Sequence, residues 1–380
     1  MNYPNKLPDV GTTIFAIMSK MAQDNDAINL SQGFPDFQTS ERLINLVHKH
    51  MLNGANQYAA MPGHIKLRER ISEKTESLYG VYYNPESEVT VTSGATEALF
   101  VAISAVTEPG DEIIIFEPAY DSYKPVIDLN GGICIQVRLE APEFKIDWNE
   151  VEEKISKKTK AVIFNTPHNP TGSIWSEMDL QRLAEIAEAH NLWVISDEVY
   201  EHIIFDDEVH QSAMLIESLK ERSFIISSFG KTYHNTGWKV GYCVAPEALS
   251  KSFRKIHQFV CFSTHTPSQM AFADFLQFKN EYLDLPRFYQ RRRNKFLELI
   301  KDSKFEFSAS KGTYFQLLSY GHMDERDDKT YAEYLTKEYK IASIPISVFY
   351  SDGYDPKMLR FCFAKSDETL VKAANILCRI

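Results

Sequence analysis

The residues best equipped for covalent chemistry lie between Ser227 and Gly241, in the run Ser-Ser-Phe-Gly-Lys-Thr-Tyr-His-Asn-Thr-Gly-Trp-Lys-Val-Gly. The apolar residues Phe224, Ile225 and Ile226 precede it and read as the end of a buried strand. A lysine set just after such a strand, as Lys231 is, loses part of its hydration, which disfavours its charged form. A neutral amine attacks carbonyls and forms Schiff bases. A solvated loop lysine is the competing reading, and for one lysine taken alone it is the commoner case. What separates the two is the set of residues that follow the other strands.

Ser93-Gly94-Ala95-Thr96 follows the short strand pattern of residues 88–92. Small residues opening a helix expose backbone N–H groups that favour an anion such as phosphate. Tyr120 follows the apolar run 112–116 and is placed to stack on a flat ring. Asn165 to Gly172 follows the run 160–164, and Pro167, Pro170 and Gly172 fix that loop, so Asn169 sits on rigid backbone. Asp197-Glu198-Val199-Tyr200 follows the run 192–196. A carboxylate there is at least partly buried, which is costly unless it is paired. No lysine or arginine nearby in sequence offers the cation, whereas a protonated ring nitrogen would. Each piece alone is more often a turn or a core residue. Together they supply an anion cradle, a stacking ring, a rigid asparagine, a buried aspartate, a tyrosine and a Schiff-base lysine, which is what pyridoxal phosphate requires.

The elements that must position these residues are strands alternating with helices from about residue 88 to 228. That alternation indicates crossover units and a largely parallel sheet. The strands are continuously apolar, as in a sheet covered on both faces. In such sheets ligands bind beyond the carboxyl ends of the strands, where all these residues fall. After about residue 275 a long helix and shorter strands (314–318, 358–363) describe a smaller domain of mixed α+β type. Residues 13–21 read as an N-terminal helix carrying Phe15, and Gly33-Phe34-Pro35-Asp36 ends regular structure. The division is an arm over 1–40 joining the small domain, a large domain over 41–275 and a small domain over 276–380.

Composition sets limits on function. A net charge of −11 argues against a nucleic-acid groove, and Arg291-Arg292-Arg293 reads as a solvated helix face. The five cysteines form no Cys-x-x-Cys pair, which points to reduced thiols and a cytoplasmic setting. There is no signal-peptide pattern and no apolar run of membrane-spanning length. The eleven histidines form no ligand cluster, so no metal is expected.

Asn-Pro-Thr-Gly (169–172), Asp-Glu-Val-Tyr (197–200) and Ser-Phe-Gly-Lys-Thr (228–232), in this order, resemble the motifs of class I, fold-type I, pyridoxal-phosphate-dependent aminotransferases. The chain is most similar to the branch holding kynurenine, glutamine–phenylpyruvate and bacterial methionine aminotransferases, from Phe15 through Arg360. The resemblance implies a mostly parallel seven-stranded sheet and a homodimer with shared active sites. It implies that Lys231 carries the cofactor as a Schiff base and that Asp197 pairs with the pyridine nitrogen. Tyr200 and Asn169 would bond the ring's phenolic oxygen and Tyr120 would stack on the ring. Ala95, Thr96, Ser228 and Lys239 would hold the phosphate, with Tyr58 reaching the phosphate of the neighbouring subunit. Arg360 would clamp the substrate carboxylate, whose geometry suits a guanidinium fork. Phe15, Gly33, Asn169 and Phe262 would complete the substrate site.

There are two departures. Position 239 is lysine where many class I members have arginine, as it also tends to be in the similar branch, so phosphate binding is unaffected; the second bears on substrate. The stretch Gln258–Gln269 holds no arginine, which aspartate aminotransferases use for a second carboxylate; it offers Phe259, Phe262, Ser263 and His265 instead. The implied donor is therefore a neutral thioether, aromatic or amide amino acid of the methionine, phenylalanine, tyrosine, glutamine or kynurenine type. Its amino group would pass to a 2-oxo acid by a ping-pong mechanism. A cysteine-S-conjugate or cystathionine β-lyase is the alternative on the same fold and the same lysine. A noncatalytic cofactor-sensing regulator is a remote one.

Overall fold

The computed structural model describes residues 5–380; the first four residues of the predicted arm lie outside the described residues. Its strands are β1 (Ile28–Asn29), β2 (Val89–Thr92), β3 (Glu112–Glu117), β4 (Ile133–Arg138), β5 (Thr159–Asn165), β6 (Trp193–Asp197), β7 (Ser223–Ser228), β8 (Gly241–Val244), β9 (Phe315–Ser319), β10 (Ile341–Ala342), β11 (Ile344–Pro345) and β12 (Met358–Cys362).

Seven of them form one sheet in the order β2-β8-β7-β6-β5-β3-β4. The pairs β3–β4, β3–β5, β5–β6 and β6–β7 are parallel, and β8 runs antiparallel to both β7 and β2. The expected mostly parallel, doubly covered α/β sheet is therefore what the chain adopts. Side-chain alternation divides the strand residues between two cores. Ile113 and Ile115 of β3 pack with Ala98, Leu99 and Ala102 of the helix Gly94–Val106 and with Phe253 of the helix Glu247–Val260. Ile114 and Phe116 face the other way, into the cluster that holds Leu180 and Leu183 of the helix Glu177–Ala189. The helix that follows β3 begins at Tyr123, and the turn at Asp121 and Ser122 before it leaves Tyr120 to line the strand ends.

The C-terminal part carries the antiparallel sheet β11-β12-β9, backed by the helices Leu285–Ile300 and Asp367–Leu377. The arm joins it through the parallel pair β1–β10, in the register Ile28 to Ile341. The helix Ile14–Asp24 starts from a Thr13 cap whose hydroxyl accepts from the Ala16 amide. Asp36 then fastens the next loop: its carboxylate accepts from the Ser366 amide and the Thr369 hydroxyl.

Candidate active site

A cleft opens beyond the carboxyl ends of the parallel strands, where ligands bind in sheets of this kind. Ala95, Thr96, Tyr120, Asn169, Asp197, Tyr200, Ser228, Lys231 and Lys239 all line it. The strand ends place these residues side by side although they are spread over 145 positions of sequence.

At one wall the helix Gly94–Val106 points its start into the cleft. Gly94 has a φ of +75°, and a Cβ there would meet the Lys239 ammonium carbon and nitrogen at 3.3 Å. Gly241 lets β8 pass tightly behind; a Cβ on it would lie 2.9 Å from the backbone of Gly94 and Ala95. Ser228 caps β7 beside them, and the Lys239 amine donates to the Thr96 hydroxyl at 3.4 Å. The wall thus combines a helix start, two hydroxyls and an exposed ammonium, the makings of a phosphate cradle.

On the floor, Asp197 ends β6 and is buried. Burial pushes its carboxyl up to about 6, against the Tyr123 hydroxyl, which donates to Oδ2 at 2.6 Å, and the Val199 amide. Asn165 fixes the neighbouring backbone: its amide donates to the Asp197 carbonyl (2.7 Å), and its Oδ1 accepts from the Asn169 N–H (2.8 Å). An anion with hydroxyl and amide donors, and no cation among the described residues bonded to it, is suited to a protonated ring nitrogen.

Lys231 lies in the one-turn helix Phe229–Thr232 that follows β7. Burial is the main cause that brings its amine down to about 8; Arg360 and Lys239 act the same way, while Cys362 and Asp197 oppose it. The amine donates to the Tyr314 hydroxyl at 3.1 Å and to the Gly33 carbonyl at 3.4 Å. It lies 5.5 Å from the Tyr200 ring centre.

Arg360, in the middle of β12, is 1% exposed. It donates to Asn169 Oδ1 at 2.7 Å and to the Ser31 carbonyl at 3.0 Å, and its buried Nε has no partner among the described residues. Its guanidinium lies 3.9 Å from the Phe315 ring centre, 5.3 Å from Phe15 and 5.5 Å from Phe349. Burial lowers its pKa to about 10, so it stays charged at neutral pH. A buried cation bonded to neutral groups and ringed by three phenylalanines is a place for a carboxylate carrying an apolar side chain.

Tyr58 and Phe262 are not brought to this cleft. They pack edge to face at 5.4 Å on the surface, where Tyr58 is 82% exposed. Phe15 and Gly33 reach the site through Arg360 and Lys231 respectively. Sequence reasoning missed Tyr123, Tyr314 and Asn165. Tyr123 was visible only as a second tyrosine three residues after Tyr120, and Tyr314 had no neighbouring motif to mark it.

The pattern of the family described as aminotransferase class I and II matches residues 25–377. The chain belongs to that family. This aminotransferase is 48% identical over 374 residues to a methionine aminotransferase of Escherichia coli, covering 98% of this chain and 97% of that one. A kynurenine–oxoglutarate transaminase of Dictyostelium discoideum is 34% identical over 410 residues, covering 97% and 94%. A solved structure of a methionine aminotransferase from Escherichia coli superposes with a TM-score of 0.98 at 47% identity, covering all of both chains.

Proposed function

We propose that this aminotransferase uses pyridoxal phosphate, bonded to Lys231, to move the amino group of methionine or a similar neutral amino acid to a 2-oxo acid. The observation that carries the reading is the meeting, in one cleft, of a lysine amine brought down to about 8 and a buried Asp197 that bonds to no cation among the described residues. One cofactor answers both: its carbonyl suits the amine and its ring nitrogen suits the carboxylate. Pyridoxal phosphate, when bound, supplies an electron sink that makes the Cα–H bond of an attached amino acid acidic.

The chain's own residues do the rest. Arg360 clamps the substrate carboxylate through its unspent donor and orients Cα. The free Lys231 amine is the base that takes the Cα proton, a role suited to a group titrating near 8. Asp197 stays ionised against the ring nitrogen, and the Tyr123 hydrogen bond keeps it aimed. Asn169 and Tyr200 serve the ring oxygen, Tyr120 stacks, and Ala95, Thr96, Ser228 and Lys239 hold the phosphate. Amino acid and oxo acid take turns on the same Arg360 clamp, which gives ping-pong kinetics. Phe15, Phe315 and Phe349 favour a thioether or an aromatic ring over a second carboxylate, in keeping with the activity named for the Escherichia coli relative. We further assign a homodimer in which Tyr58 completes the neighbour's phosphate site; the exposure of Tyr58, Phe259 (85%) and Phe262 supports it.

The test is a half-reaction screen that follows the absorbance of the bound cofactor as each amino acid is added. Methionine, phenylalanine and glutamine convert it; aspartate and glutamate do not. Lys231→Ala binds cofactor noncovalently and loses turnover by about 10⁴-fold or more. Conversion by aspartate alone, or near-normal turnover of Lys231→Ala, contradicts the reading.

A further inference from the structure

Lys231 must be held in a defined place whenever its amine is not bonded to a cofactor carbon. Among the described residues, two groups accept from that amine, the Tyr314 hydroxyl and the Gly33 carbonyl. The Tyr314 hydroxyl spends its own proton on the Gly33 carbonyl at 2.6 Å. Its oxygen therefore faces Lys231 as an acceptor, a role that favours the ammonium form.

Tyr314 is held rigidly for this. It is fully buried, and its ring lies edge-on to Tyr200 at 5.3 Å and against Phe315 at 4.9 Å. The residue before it, Thr313, has a φ of +62°. A β-branched residue in the left-handed region is strained and persists where the surroundings impose it. Here the Thr313 amide donates to the Ile203 carbonyl at 2.8 Å, and the Thr313 hydroxyl accepts from the Phe315 amide. The loop that carries Tyr200 thereby fixes the backbone that aims Tyr314. Gly33 arrives from the other side, where a Cβ would meet the Phe315 ring at 2.7 Å.

We propose that Tyr314 is a positioning residue: its hydroxyl, locked by the Gly33 carbonyl, is the station that receives the free Lys231 amine and holds it over the cleft between proton transfers. The arm is thereby tied to the chemistry, since displacing Gly33 frees the Tyr314 hydroxyl to rotate. The inference rests on the assignment of Lys231 above. The other titratable groups around the amine are Asp197, Tyr200, Lys239, Arg360 and Cys362, and Tyr314→Phe leaves all of them in place.

The experiment uses cofactor-free protein labelled with a small amine-acylating reagent across a pH series, with the Lys231 peptide quantified by mass spectrometry. Half-maximal labelling of the parent protein falls near pH 8. In Tyr314→Phe, without the acceptor, it falls about one pH unit lower. The loaded variant loses roughly tenfold in kcat, while KM for the amino donor stays within about twofold. Tyr289→Phe is the packing control: that ring lies 5.8 Å from Tyr314, but its hydroxyl bonds His234, so the labelling midpoint stays put. Should Tyr314→Phe fail to fold, Tyr314→Met fills most of the same space without the acceptor and is read in the same way. An unmoved midpoint in the Tyr314 variant, or an equal shift in Tyr289→Phe, overturns the role of Tyr314. Borohydride reduction of the loaded enzyme reads the Lys231 assignment separately, because cofactor trapped on another lysine overturns that assignment instead.

Discussion

Asp197 takes its side-chain hydrogen bond from a tyrosine, and Arg360 gives its own to an amide oxygen and a carbonyl. Both are buried ionisable groups hydrogen-bonded to neutral partners. For Asp197 this has a sign that can be checked. Burial raises its carboxyl from 3.8 to about 6, so the folded, cofactor-free protein binds its proton more tightly than the unfolded chain does. Stability from this group is therefore lost as pH rises from about 4 to 6, and the loss is complete above that window. Asp197→Asn, which keeps an acceptor for Tyr123, makes the cofactor-free protein more stable than the parent above pH 6, by on the order of 2–3 kcal/mol. The two converge near pH 4. Chemical denaturation at several pH values measures this, and activity disappears in the same variant. Lys231, Asp197 and Asn169 were legible in sequence as a set, because each lies just after an apolar run, and Arg360 only through the resemblance to the family. Tyr123 was not, since a tyrosine near a strand end reads as core until its hydroxyl is seen to face a carboxylate.

Among the elements, the turn from β7 through Lys231 and back along β8 does most to shape the cradle. β8 runs antiparallel beside β2 and passes under the helix start at Gly94. A Cβ at Gly241 would also come within 2.8 Å of the Ser227 carbonyl, all of it backbone that cannot swing aside. Gly241→Ala is thus predicted to cost about 1–3 kcal/mol by overpacking. It weakens cofactor binding by at least tenfold, measured by thermal unfolding and by titration with pyridoxal phosphate. The parallel strands and their helices could be read from the apolar runs. The direction of β8 could not, because a four-residue strand carries no mark of which way it pairs. The buried Lys74–Glu201 bridge at 2.7 Å was equally hidden, its partners being 127 residues apart.

In the whole molecule the arm, the large sheet and the C-terminal sheet converge on the cleft. Gly33 comes from the arm, Lys231 from the turn after β7, and Tyr314 and Arg360 from the C-terminal segment. In sequence, the pattern shifts after about residue 275 to a long helix and shorter strands. The return of that segment to the arm, through β1–β10 and the Asp36 contacts, depends on pairings some 300 residues apart that no local pattern signals. The exposed aromatic strip of Tyr58, Phe259 and Phe262 belongs to this scale too. Phe259→Asp, placing a charge in the proposed dimer contact, is predicted to yield monomers in sedimentation and to lose activity with them, because each site then lacks its neighbour's Tyr58. The measurement that bears most directly on the whole account is the site of cofactor attachment. Borohydride reduction of the protein loaded with pyridoxal phosphate, followed by peptide mass mapping, is predicted to find the phosphopyridoxyl group on Lys231. Finding it on another lysine, or on none, would contradict the account.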